Sequence, residues 1–402
     1  MFSIFRTSWS GRLLTVMTLV MCRAAGAQSG VQSIDVDAVS GVAAAVVVDG
    51  QALVHTTQLL PLDAEGKAVG NDVATQVHQL IAQLSRVLQR PGSDLSRLVR
   101  LNVYARTNEV AQQARHAFAE TLFQEIHPAV TAVVGTLPHA DTLVAIDAVA
   151  SLNGSDRRKL EYFRPDSALL DEPSLACVLP PGKVVYVSGM AARVDNLAQA
   201  TSQTMKKLHG VLQLLELTPQ QVVHLKAFMK PIGQADQARR IMASFYAGER
   251  IPPMTFVEWK NGLPIEIEMI VFASADTGGA AVSQNWQPKE KRSPVFCRYA
   301  VVNAARRIYL SGLSSPDPDP VEQSRHIFRT LDQLLGKCGS DLNHLAKATY
   351  YVTTGAASDG LNAVRPEFYD PSYPPAASKA SVAGTGWSER SVIVDMIAVP
   401  RE

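Results

Sequence analysis

Ser188 and Ser311 each stand directly before a glycine, Gly189 and Gly312, at the end of a β-rich run, and Glu266 lies beside Glu268 in the strand-like segment Ile265–Glu268. A serine in such a turn becomes a nucleophile only with a base beside it, and no spacing in this chain supplies one. A strand carboxylate such as Glu266 can move a proton if a pocket shields it; otherwise it is a hydrogen-bonded structural group. The nine histidines include no HExxH pair, and none stands with a cysteine at zinc spacing, so no metal site is expected. There is no CxxC, no GxxxxGKS/T phosphate loop and no GxSxG elbow, and no cofactor is expected. Gly384-Thr385-Gly386 begins like a dinucleotide fingerprint, but Glu389 takes the next glycine slot, which makes the segment a turn between strands. His55 and His139 could line a cleft in the first third of the chain, or be ordinary partly buried histidines.

The elements that must position these residues come from a threefold internal repeat. Leu88, Leu212 and Leu335 each close a helical stripe. Tyr104, Phe228 and Tyr351 sit in the next strand-like run, and Pro128, Pro252 and Pro375 follow a second helix. All three landmarks recur after 124 and then 123 residues, and Gly92–Leu95 returns literally as Gly339–Leu342. Each copy predicts the same order. β-rich runs come first (Ala52–Thr57, Val184–Ser188, Ile308–Ser311). A long amphipathic helix follows over Val73–Leu88, Leu197–Leu215 and Val321–Leu335, the last with Gly336 as its stop. Next come a strand (Leu101–Ala105, Leu225–Met229, Thr349–Val352) and a second helix ending near Phe123, Phe245–Tyr246 or Phe368–Tyr369. Two last strands end at Ile146–Val149, Ile265–Val271 and Val392–Ala398. Strands at both ends with helices between them read as α+β. Leu152–Leu175 and Ala275–Arg292 read as polar linkers, the second carrying the charge run Lys289–Arg292.

Residues 1–27 carry Arg6, Arg12 and Arg23, no acid, the apolar run Leu13–Cys22 and then Ala25-Gly26-Ala27. That is the pattern of a cleaved signal peptide, with a mature start near Gln28 and a secreted or periplasmic location. No stretch is long and apolar enough for a membrane helix, so no membrane association is expected after cleavage. Cys177, Cys297 and Cys338 would remain, as one pair plus a free thiol or as three buried thiols. Across 402 residues, 38 basic side chains balance 37 acidic ones and aromatics make up 6%. Such a surface offers neither the charge nor the stacking platform that nucleic acids need.

The first copy, Ala52–Ala150, resembles the RidA/YjgF family of reactive-intermediate imine deaminases, long labelled endoribonuclease L-PSP. It has Thr56-Thr57-Gln58-Leu59 where the family has a Ser-Gly-Gln turn, then Gly66-Lys67 and Asp94–Arg100 leading into Asn102-Val103-Tyr104. Pro128-Ala129, Leu137-Pro138 and Leu143–Ala150 complete the match. The third copy keeps Tyr309-Leu310-Ser311-Gly312 and Pro375-Ala376; the second keeps Tyr186-Val187-Ser188-Gly189 and Ile265–Glu268. The resemblance implies three tandem chorismate-mutase-like α+β domains over 33–151, 160–275 (the divergent one) and 293–402. Family members usually form homotrimers around a central β-barrel, with ligand clefts between subunits. Here the resemblance implies an intramolecular pseudotrimer: a monomer whose three copies replace the homotrimer and whose clefts are free to diverge.

The family reaction is hydrolysis of an imine or enamine to a keto acid and ammonia. An arginine after the Pro-Ala step grips the substrate carboxylate, a glutamate in the last strand positions water, and the Ser-Gly turn completes the pocket. In this chain the arginine slot holds Val130, Met254 and Ala377, and the glutamate slot holds Ala145, Glu266 and Ile393. Lys379, two residues beyond Ala377 and so on the same strand face, could supply a cation, though as a point charge and not a fork; alternatively it is a solvated strand-end lysine. Ala132 and Phe256 at the same place suggest an apolar cleft or none. Glu266 and Lys379 are therefore the expected carriers of chemistry. Ligand contacts are expected from Val130, Met254, Ala377, Ser188, Gly189, Ser311, Gly312 and Tyr351. Three readings stay open: a divergent deaminase or hydrolase acting on a small metabolite at an inter-domain cleft, a non-catalytic module for a small molecule or protein, and, least favoured by charge, a ribonuclease.

Overall fold

The computed structural model describes residues 30–152, 157–166, 171–246 and 250–401. The signal peptide read over 1–27 lies outside them. The first copy runs β1 (Val31–Val36), β2 (Ala43–Asp49), β3 (Leu53–Thr56), α1 (Val73–Gln89), β4 (Leu98–Ala105), α2 (Asn108–Thr121), β5 (Ala129–Val134) and β6 (Val144–Ser151). The second runs β7 (Glu161–Phe163), β8 (Ala176–Leu179), β9 (Lys183–Met190), α3 (Leu197–Leu214), β10 (Val222–Met229), α4 (Ala235–Ala243), β11 (Met254–Glu258) and β12 (Ile265–Ser274). The third runs β13 (Val282–Asn285), β14 (Tyr299–Val302), β15 (Arg306–Leu310), α5 (Pro320–Lys337), β16 (Leu345–Val352), α6 (Gly355–Phe368), β17 (Ala376–Ser381) and β18 (Val392–Ala398). The α+β order thus recurs in each copy. The expected linkers are not plain connections, because β7 and β13 lie within them and pair with β8 and β14. Helix α5 also runs through Gly336; its stop is Gly339, whose φ of +72° supplies the left-handed turn.

Each long helix starts on a side chain that accepts one of its orphan amide protons: Asp72 from Thr75, Asn196 from Gln199 and Asp319 from Val321. The apolar stripe of α1, including Val77, Leu80, Leu84 and Leu88, packs on strand residues such as Leu101 and Val103. Equivalent outer cores serve the other two copies. Because successive strand residues alternate in direction, the opposite strand faces meet in an interior shared by all three copies. Val48, Tyr186 and Tyr309 belong to one inner cluster, and Tyr104, Phe228 and Tyr351 to another.

The strands form two open sheets and do not close into one barrel. The first runs β17-β16-β18-β15-β2-β5-β4-β6-β3-β8-β7, with β1 on β2; the second runs β11-β10-β12-β9-β14-β13. Continuity breaks where side chains replace ladder bonds: Ser188 Oγ accepts the Ala377 amide at 2.6 Å, and Thr57 Oγ1 donates to the Met254 carbonyl at 2.9 Å. Strand lending is nevertheless cyclic. β8 of the second copy pairs with β3 of the first, β14 of the third with β9 of the second, and β2 of the first with β15 of the third.

Charge is buried where the copies meet. Arg100 pairs with Asp395 at 2.7 Å and Lys347 with Glu268 at 2.6 Å, each pair joining two copies. Thr255 donates to Asp147 at 2.9 Å across the remaining junction. Burial alone would raise Asp147, but Lys226, His224 and hydrogen bonds from Tyr104 and Asn102 hold it below the usual carboxylate range. A cavity of about 50 Å³ lies among these groups. Cys177, Cys297 and Cys338 are free thiols. Among the described residues no helix is long and apolar enough to cross a membrane.

Candidate functional site

The turn after the second main strand of each copy lies against the strand that follows the second helix of another copy. Ser188 Oγ accepts from Ala377 N–H and donates to the Cys297 carbonyl, both at 2.6 Å. Ser311 Oγ accepts from Val130 N–H at 2.7 Å and donates to the Ala43 carbonyl at 2.6 Å. Thr57 makes the equivalent seam with Met254. These hydroxyls are latches between copies and not nucleophiles. Ser188 is buried and does not line its cleft, where Gly189 does; Ser311 and Gly312 both line theirs.

Gly189, Ala377, Glu266 and Lys379 line one cleft of about 550 Å³ between the second and third copies. A Cβ on Gly189 would lie 2.0 Å from Glu266 Oε1, so the carboxylate rests against the turn and only glycine fits there. Burial and the neighbouring Glu268 charge push Glu266 up to about 7, against the pull of Lys347, Arg298 and Ser378. Lys379 Nζ reaches Ser358 Oγ at 2.8 Å and Asn362 Oδ1 at 3.0 Å on α6. Burial and then Arg365 lower its pKa, while Asp359 and Glu266 oppose them. Arg365 donates to Asn362 at 2.6 Å and stacks 5.0 Å over Tyr350, and its buried Nε has no partner. Arg193, Lys207 and Arg298 complete a lining that is basic apart from Glu266, with Arg298 paired to Glu290. Such a cleft attracts a small anion, and a carboxyl that titrates near neutrality can take and return a proton there.

The other two seams differ at the same positions. In the first–second seam Gln58 stands in the glycine's place, with Ala145 in the glutamate slot. The Gln58 side chain donates to the Phe256 carbonyl at 3.1 Å and accepts its amide at 3.3 Å, which fills the space where a carboxylate would sit. Met254 lines the hollow of about 570 Å³ that remains. In the third–first seam Ile393 takes the glutamate slot, 2.6 Å from where a Gly312 Cβ would be. Val130, Ala132 and Ile393 floor that cleft, which has a volume of about 530 Å³.

One expectation needs correction, and of the two readings of His55 and His139 the structure favours the one that keeps them out of the clefts. Tyr351 is not a cleft residue: the pleat turns it inward, 6.2 Å edge-on to Phe228, and its neighbour Tyr350 lines the cleft instead. His55 faces the small central cavity, where burial and then His224 lower its pKa to about 3. His139 sits in the turn before β6, its Nδ1 accepting the Asp141 amide at 3.3 Å. Sequence reasoning missed Ser358, Asn362 and Arg365. Their spacing of four and then three residues puts them on one face of a helix, and an arginine directly after the buried Val364 was the available signal.

A thrice-repeated α+β unit with a cleft at each seam defines the class. The sequence profile of the family described as endoribonuclease L-PSP matches residues 38–152 and 293–399, the first and third copies. The chain belongs to that family. Solved structures that match part of the chain include a Rid-family protein from Yersinia pestis, at 25% identity over 31% of this chain and 99% of its own, with a TM-score of 0.27. A YjgF-family protein from Neisseria meningitidis matches at 22% identity over 30% of this chain and 96% of its own, with a TM-score of 0.23. A YjgF/YER057c/UK114-family member from Mycobacterium tuberculosis matches at 19% identity over 23% and 78%, with a TM-score of 0.22. No curated protein sequence matches the chain.

Proposed function

We propose that this chain binds a small carboxylate-bearing imine or enamine in the cleft between its second and third copies and hydrolyses it there to a keto acid and ammonia. The observation that carries this reading is that Glu266, titrating near 7, shares one open cleft with Lys379 and Arg365. Lys379 and Arg365 hold the substrate carboxylate in place of the missing strand arginine. An enamine first takes a proton at its β-carbon, so both substrates react as the iminium. Glu266 takes a proton from the water that attacks the iminium carbon, which gives a neutral carbinolamine, and returns that proton to the amino nitrogen. The C–N electron pair leaves with ammonia while the O–H pair of the hydroxyl forms the C=O bond of the keto acid, the hydroxyl proton passing to Glu266 and then to solvent.

The same reading takes 33–151, 160–275 and 293–402 as three domains standing in for a homotrimer, a pseudotrimer within one monomer. Residues 1–27 would export it to the periplasm or beyond. Ammonia and keto-acid release from freshly generated 2-aminoacrylate tests the activity. We expect turnover by the mature chain and its loss in Glu266→Gln and Lys379→Met; a wild-type rate equal to buffer would overturn the reading. The acid-free seams support binding without turnover as a second reading, shown by a keto acid that raises Tm and is recovered unchanged. A formal net charge of +1 gives little support to a ribonuclease.

A further inference from the structure

The interior where the three copies meet holds more positive charge than its acids balance. Its cavity of about 50 Å³ is lined by the cations Arg100, Lys226 and Lys347 and by the carboxylates Asp147, Glu268 and Asp395. Arg100 is spent on Asp395 and Lys347 on Glu268. Asp147 is spent on neutral donors: Oδ1 accepts from Asn102 at 2.6 Å, and Oδ2 from Tyr104 at 2.6 Å and Thr255 at 2.9 Å. That leaves Lys226, 7% exposed, with no hydrogen bond or ion pair among the described residues; its ammonium lies 5.7 Å from the centre of the Tyr104 ring. Arg307 adds a fourth buried cation beside Tyr309 and Tyr186. Its Nη2 donates to the Gly182 carbonyl at 2.9 Å, and among the described residues no carboxylate pairs with it. Burial keeps His55 and His224 neutral. Four cations thus meet three carboxylates. Two polar atoms of the cavity wall, Arg100 Nε and His55 Nε2, are also buried without a partner. Water could accept from these donors, but it would leave the surplus charge uncompensated, and a buried charge without a counter-charge is costly.

We propose that the central cavity binds one small monovalent anion of the halide class, held by the Lys226 ammonium, Arg100 Nε and His55 Nε2. One negative charge matches the surplus, whereas sulfate or phosphate would exceed it. The volume admits a halide-sized ion and little more. Val149, Ile270 and Ile397 form apolar stretches of the wall, which favours a weakly hydrated ion over fluoride. The ion would serve as a structural counter-ion that ties Lys226 of the second copy to Arg100 and His55 of the first. It takes no part in the Glu266 chemistry and lies in none of the three clefts.

The test is urea unfolding of the mature protein at about pH 7.5, with sodium bromide replacing sodium gluconate, whose anion is too bulky to enter, at constant ionic strength. Once the site fills, the unfolding constant is expected to fall about tenfold for each tenfold rise in bromide, the signature of one ion released on unfolding. Lys226→Met should flatten that dependence, whatever it does to stability in gluconate alone. Crystals grown in about 200 mM bromide should show an anomalous-scattering peak in the central cavity, lost in Lys226→Met. Should that variant fail to fold, the wild-type crystal decides by itself. Ordered water in place of the central peak, bromide confined to the outer clefts, an unfolding constant indifferent to bromide, or the same dependence in Lys226→Met each overturns the proposal.

Discussion

Replacing Glu266 by glutamine should stabilise the protein, increasingly as pH rises above 4.5 and fully above about 7. A carboxyl raised from 4.5 to about 7 binds its proton more tightly folded than unfolded. Below the unfolded value it is protonated in both states and costs nothing extra. Between 4.5 and about 7 the unfolded chain ionises first, and the folded state loses ground with each pH step. The full shift is worth about 3 kcal/mol, and the group's contact with the cleft reduces this to roughly 1–3 kcal/mol. Glutamine keeps the shape and never ionises. Urea denaturation of wild type and Glu266→Gln at about pH 4.5 and pH 8 measures the difference. The two should coincide at the acid end, and the variant should lead by roughly 1–3 kcal/mol at the alkaline end while ammonia release is lost. A variant less stable than wild type at pH 8 would refute the reasoning, because it would mean that Glu266 is a well-paired structural carboxylate.

Three further outcomes follow from other parts of the molecule. Lys347→Met leaves Glu268 buried without its 2.6 Å partner and should cost about 3–5 kcal/mol in thermal or urea unfolding, most of it recovered by adding Glu268→Gln. Ser188→Ala removes both 2.6 Å seam bonds, leaves the half-buried Ala377 amide and the buried Cys297 carbonyl without that partner and should cost about 1–2 kcal/mol by the same measurement. His55 and His224 are lowered from 6.5 to about 3 and about 4. Their neutral burial stabilises the fold above pH 6.5 and that stability is lost as pH falls, by roughly 3 kcal/mol for each at pH 4; equilibrium unfolding between pH 7 and pH 4 checks the sign.

The helices and most strands were legible in the sequence because each copy repeats the same periodicity, and α1, α3 and α5 begin and end within two residues of the expected bounds. Glu266 was nominated because the family resemblance puts it in the glutamate slot, and Lys379 by strand spacing from the arginine slot, but nothing in the chain said that they share a cleft, since the two lie on strands of different copies. Tyr351 went wrong by one residue, which in a pleated strand reverses the face. Arg365 was missed although its spacing from Ser358 and Asn362 marks one face of a helix, because nothing in the sequence says that this face lines a cleft. The two open sheets were equally hidden: a serine or threonine side chain taking a ladder position leaves no trace in hydrophobic pattern.

The cyclic lending of strands has a consequence for how this chain comes apart. In an open tandem array the end units have one neighbour each, so they fray and unfold in steps. Here β2 of the first copy completes the sheet of the third, and no copy is terminal. Melting any one copy strips an edge strand from another and exposes unpaired backbone there. Denaturation should therefore follow a single transition with the steep denaturant dependence of the whole chain, not three shallow ones. A fragment holding only the first two copies should aggregate through the bared edge of β2, whose Val46 and Val48 are buried in the whole chain.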